Sequence, residues 1–180
     1  MTFMARTLGY SGPKVSYWIT SINGDPTAPT NPTFTYGKGI GVDSSGNSYN
    51  IGEIDDDYSA QYLISKYNTN GVIQWQKVLY EGDTYNLGPF GGTTDSSGNT
   101  YSAGVSNSTG SNYAATLIKH NSSGVLQWQK GLDKDSGYSE FNNCTVGASG
   151  NIYAVGDADD FDPSAYNGVI TQYSSSEIGR

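Results

Sequence analysis

The chain repeats itself, and the repeat limits the folds open to it more than any other feature. DSSGNSYNIG begins at Asp43, DSSGNTYSAG at Asp95 and GASGNIYAVG at Gly147. Gly46, Gly98 and Gly150 succeed one another at steps of 52, as do Tyr49, Tyr101 and Tyr153, and then Gly52, Gly104 and Gly156. Downstream, YLISKYN at Tyr62, ATLIKHN at Ala115 and GVITQYS at Gly168 match at steps of 53. Trp75 and Trp128 keep that step inside NTNGVIQWQKVL and NSSGVLQWQKGL. A catalytic site is needed once, whereas a structural unit can be needed many times.

Each copy reads as four short strands, in the first KGIGVD, SYNIGE, QYLISKYN and VIQWQKVL. Asp-Ser-Ser-Gly-Asn joins the first pair and Asn-Thr-Asn-Gly the last, with glycine where a tight hairpin needs a left-handed residue. Four antiparallel strands in about 50 residues is the size of a β-propeller blade. The expected fold is therefore all-β and propeller-type, with three four-stranded antiparallel blades repeating at about 52 residues. Composition agrees: 24 Gly, 15 Tyr and only 14% charged residues suit short strands and turns and argue against helices. At 13% aromatic, the chain is also too rich in large rings for a disordered polar segment.

GNSYNIG followed by YLISKYNTNGVIQW resembles the SBBP-type bacterial β-propeller repeat. The shared features are an Asp-x-x-Gly-Asn-x-Tyr opening and a Lys-x-Asn-x-x-Gly-x-x-x-Trp close. The resemblance covers roughly residues 38–180. It implies the propeller architecture and says little of activity, because fold does not dictate function.

The ends do not match the repeat. Continuing the step of 53 from Trp128 puts the next Trp at 181, one past Arg180, so the third copy lacks its fourth strand. SGPKVSYWITSI, from Ser11 to Ile22 and including Trp18, reads as a fourth strand without the three that should precede it. The organisation expected is an N-terminal arm and closing strand over 1–22, then blades over 23–79, 80–132 and an incomplete 133–180. The arm would complete the last blade, its own or a partner's, so that no edge strand stays open. Because propellers have roughly four to eight blades, two chains head to tail would make a closed ring of six. The rival readings are an open stack of sheets or a piece of a longer propeller.

Repetition also sorts the candidate sites. Trp18, Trp75 and Trp128 read as packing elements of the outer strands, and Gly46, Gly98 and Gly150 as turn formers. His120, the single histidine, takes the place of Tyr67 and Tyr173 and reads as structural. Cys144, the single cysteine, takes the place of Ile40 and Gly92 and reads as a small buried residue near the axis. GKGIG at Gly37 lacks the rest of a phosphate-binding motif.

The near-identical tight turns fall on one face of such a propeller and the long, dissimilar loops on the other, as expected when loops carry recognition. Phe90 and Phe141, just before first strands, read as plugs between blades. Tyr58, Tyr80, Tyr85, Tyr138 and Tyr166 read as ligand contacts, rings that stack on a sugar beside Asp and Asn that bond its hydroxyls. Two acidic groups share that face: Asp55, Asp56 and Asp57, and Asp157, Asp159, Asp160 and Asp162. The second is a candidate Ca²⁺ site, although it lacks the glycine and distal glutamate of an EF-hand. Solvated acidic loops are the plainer reading, and no other cofactor is expected.

Nine Lys and Arg against a net charge of −8 argue against nucleic-acid binding, and no apolar run approaches the roughly 20 residues of a membrane span. The N-terminal residues lack the charged start and apolar stretch of a secretory signal. The Ser, Asn, Gly and Tyr style nonetheless fits an extracellular or virion surface, bacteriophage included. The expected function is a non-enzymatic structural or recognition module that assembles with copies of itself or with other virion or surface subunits. Its long-loop face would bind glycan or protein. The alternative is a propeller-type polysaccharide hydrolase or lyase using loop carboxylates.

Overall fold

A computed structural model describes residues 34–55, 60–79, 88–106, 113–132, 138–158 and 167–174. They form eleven strands in three antiparallel sheets of four, four and three strands. The first sheet runs β1 (Phe34–Val42), β2 (Ser48–Asp55), β3 (Ala60–Tyr67), β4 (Ile73–Leu79), each strand beside the next. The second repeats this with β5 (Gly88–Thr94), β6 (Thr100–Ser106), β7 (Ala114–His120) and β8 (Leu126–Gly131). The third holds β9 (Ser139–Val146), β10 (Ile152–Ala158) and β11 (Asn167–Tyr173), in the order β11-β10-β9. The N-terminal arm with its closing strand and Trp18 lies outside the described residues.

The tight turns explain why the copies fold alike. Gly46, Gly98 and Gly150 have φ of 79°, 83° and 81°, the left-handed region that a side chain resists. Asp43 staples its turn: one carboxylate oxygen accepts the Ser45 and Asn47 amides, each at 2.9 Å. The other accepts Asn47 Nδ2 at 2.8 Å and the Tyr49 hydroxyl at 3.1 Å. Asp95 does the same for Ser97, Asn99 and Tyr101 at 2.8 to 3.0 Å. The third copy has Gly147 at this place, without a carboxylate, and keeps the backbone bonds of the turn, Gly147 N to Asn151 O at 2.8 Å and Gly150 N to Gly147 O at 2.9 Å.

The sheets pack in chain order, and the first strand of each makes the junction with the sheet before it. β5 lies across β1, β2 and β3, and β9 lies across β5, β6 and β7. The first junction is tight enough that a Cβ on Gly92 would meet Ile51 Cδ1 at 2.6 Å. A backbone hydrogen bond from Ser44 N to Ser96 O, 3.0 Å, ties the turns of the two sheets together. In the second junction Tyr101, Ala103 and Leu117 of the second sheet meet Phe141, Ile152 and Ala154 of the third in one apolar core. Burying each large side chain there contributes about 1.5–3 kcal/mol.

Two sequence expectations are corrected here. Phe90 and Phe141 do not precede the first strands but lie within β5 and β9. The bulge of β5 falls on Phe90, which is exposed, whereas that of β9 falls on Asn142 and leaves Phe141 paired with Gly156 and fully buried in the core. Asp55 and Asp157 are likewise strand residues, closing β2 and lying within β10, because the ladders run further than the acidic composition implies.

Candidate functional site

The three copies share a tyrosine, and its surroundings differ in a way that marks out a surface. Tyr49 has the Asp43 carboxylate on its hydroxyl, the Lys66 ammonium 5.0 Å from its ring centre, and Trp75 edge-on at 6.1 Å. Tyr101 is held alike by Asp95, by Lys119 at 5.2 Å and by Trp128 at 6.3 Å. Both rings are buried, and burial is the main cause that pushes both phenol pKa values up. For Asp43, burial works against the carboxylate, but bonds from Asn47, Tyr49 and Ser45 outweigh it and hold the pKa below the ordinary value. Tyr153 has Gly147 and Gln172 where the others have Asp and Lys, and its hydroxyl accepts a long 3.3 Å bond from Gln172 Nε2.

The residues around Tyr153 show the same pattern. Ile51 and Ile64 of the first sheet are fully buried, as are Ala103 and Leu117 of the second. Their third-sheet counterparts are exposed: Val155 at 47% and Ile170 at 81%, with Tyr153 at 39%. Val155 pairs with Asn143 on β9 and Ile170 on β11, so the three side chains stand in one row on one face. Together with Thr145 and Tyr153 they line an open hollow of about 220 Å³. At the end of this face, the Asp157 carboxylate accepts Asn142 Nδ2 at 2.8 Å. Sequence reasoning missed the surface; its signal was the departure from the repeat at Gly147 and Gln172.

Of the residues singled out for recognition, Tyr138, Asp55 and Asp157 are among those described. Tyr58, Tyr80, Tyr85, Tyr166, Asp56, Asp57, Asp159, Asp160 and Asp162 lie outside the described residues. Tyr138 is described: its ring packs on Tyr113 at 5.4 Å and its hydroxyl bonds to the Glu140 carboxylate. Of the predicted Ca²⁺ ligands, Asp157 is the one that is described, on a strand and engaged by Asn142. Among the described residues, no three His, Cys, Asp or Glu side chains come together as a metal site would need.

His120 and Cys144 are packing residues in their geometry. His120 is fully buried, and burial alone pushes its pKa down to about 4. Neither of its ring nitrogens has a hydrogen-bond partner among the described residues. Cys144 Sγ donates to the Tyr101 carbonyl at 3.4 Å across the second junction. Burial pushes its thiol up to about 12, which leaves no reactive thiolate near neutral pH. Among the described residues, no helix is long and apolar enough to cross a membrane.

No protein-family model matches the chain, and no curated protein sequence matches it.

Proposed function

We propose that this chain is a non-enzymatic structural and recognition module, a propeller-type array of sheets that assembles with copies of itself. Its dissimilar long loops would meet a glycan or a neighbouring protein at a virion or extracellular surface. The observation that carries this reading is the fate of the repeated positions. In two copies the tyrosine with its Asp and Lys partners and the pairs Ile51–Ile64 and Ala103–Leu117 are packed, whereas in the third Tyr153, Val155 and Ile170 are exposed. Bare apolar rows on a sheet mark contact surfaces. The likeness to SBBP-type propeller repeats supports the architectural part of the proposal.

Light scattering on a sizing column tests the assembly directly. The chain mass is 19.2 kDa, and a species of two chains or more is expected at micromolar concentration. A monomer at every concentration would remove self-assembly from the reading. A glycan array read beside a reducing-sugar assay tests the recognition part. Binding without turnover is expected, and turnover lost on substituting Asp157 or Asp159 would establish a carbohydrate-active enzyme instead.

A further inference from the structure

The two junctions inside the chain obey one rule: the first strand of the later sheet lies across the first three strands of the sheet before it. The row it covers is Ile51 and Ile64 in one case and Ala103 and Leu117 in the other. The residues it inserts are Gly92 against Ile51, and Cys144 against the Tyr101 carbonyl. The acceptor row of the third sheet, Val155 and Ile170 beside Tyr153, is exposed. The first strand of the first sheet is exposed too: Ile40, in the place of Gly92 and Cys144, stands at 70%, and Val42, in the place of Thr94 and Val146, at 57%.

We infer that β1 of a second copy of this chain docks on the open face of the third sheet, head to tail, with Ile40 entering the hollow beside Val155. The inference rests on the self-assembly reading above and names the two surfaces that meet. Side-chain size supports it. Where the acceptor is Ile51 the inserted residue is Gly92, and where it is Ala103 the inserted residue is Cys144. The hollow of about 220 Å³ at Val155 is large enough to take an isoleucine side chain from Ile40. Both surfaces are apolar, so burying them is favourable despite the −8 charge each chain carries. The contact is heterologous, and copies joined by it either close a ring or run on as a filament.

The test uses the full chain with Ile40→Cys and Val155→Cys as separate variants, each at an exposed position that tolerates the change. They are differently tagged, refolded together and treated with a short bismaleimide. A cross-linked dimer is expected in the mixture, and neither variant alone should give one. Wild type serves as the control, since Cys144 is buried. Val155→Cys cross-linking to itself would mean that like faces meet, and would overturn the inference.

Wild-type oligomers by light scattering with no cross-link in the mixture would overturn the head-to-tail contact and leave self-assembly standing. A strictly monomeric wild type would overturn both. As a second variant, Val155→Arg should weaken association at least tenfold with an unchanged circular dichroism spectrum. Val72→Arg, at an exposed apolar residue of the β3–β4 turn, should leave it unaltered. Equal affinity of the two variants would sink the proposal.

Discussion

Tyr101 in the second sheet and Tyr153 in the third occupy the same place in the repeat and lead opposite lives. Tyr101 is clamped by Asp95, Lys119 and Trp128 and roofed by β9, while Tyr153 stands on a face with one long bond to Gln172. A repeat position has two requirements, a fit within its own sheet and a neighbour above it. Tyr101 has both. Tyr153 has no sheet above it among the described residues, and the Asp and Lys that hold the ring in the other copies are Gly147 and Gln172 here.

The sharpest way to break this comparison is to truncate both rings. Tyr101→Ala should cost about 3–5 kcal/mol, because it leaves a cavity in the core between sheets. Tyr153→Ala in the dilute monomer should stay within about 0.5 kcal/mol. Urea unfolding of the two variants checks it, and equal losses would mean that Tyr153 is covered as Tyr101 is.

His120 gives a second contrast, in pH. It is buried in the second sheet where Tyr67 and Tyr173 stand in the others. Its folded pKa of about 4 lies below the ordinary 6.5, so between those values the unfolded chain binds a proton that the folded chain does not. The stability is whole above the ordinary value and is lost as pH falls, by roughly 3 kcal/mol over the window. Unfolding midpoints at neutral and acid pH should therefore diverge less in His120→Leu than in wild type. An unchanged pH dependence would show that His120 is hydrated or paired.

A smaller difference is expected between two turn glycines. Gly46 and Gly98 share the left-handed conformation, so alanine costs each about 1–2 kcal/mol. At Gly98 the new Cβ would also fall on the Tyr49 hydroxyl of the preceding sheet, whereas at Gly46 it meets only the end of Thr69 at 3.1 Å. Gly98→Ala should therefore lose about 1 kcal/mol more. Equal losses in thermal unfolding would place the second turn further from the first sheet. Least in size is a gain: Gly147→Asp should restore the staple to the third turn and stabilise it by about 1 kcal/mol. A thermal shift downwards would show that this turn cannot accept the carboxylate.

How much was legible depends on the range of the forces involved. The turns at Gly46, Gly98 and Gly150 could be read directly, because a left-handed residue in a short polar link is a local fact. The pairing of first with second strands came with those turns, since a tight hairpin leaves its strands side by side, whereas that of second with third strands spans longer connections. Asp157 and Phe90 were misplaced because strand ends and bulges are decided by cross-strand ladders, not by composition. The open face was not legible as such, although its substitutions were visible.

The sequence by itself determined the three-fold repeat, the hairpins and the all-β sheets, because each rests on residues close along the chain. Only the tertiary structure decided that β5 and β9 each roof the sheet before them, and that Val155, Ile170, Ile40 and Val42 have no roof among the described residues. Burial belongs to the neighbour as much as to the side chain: Ile64 and Ile170 are one residue type at one place in the repeat, and a sheet lies over the first alone.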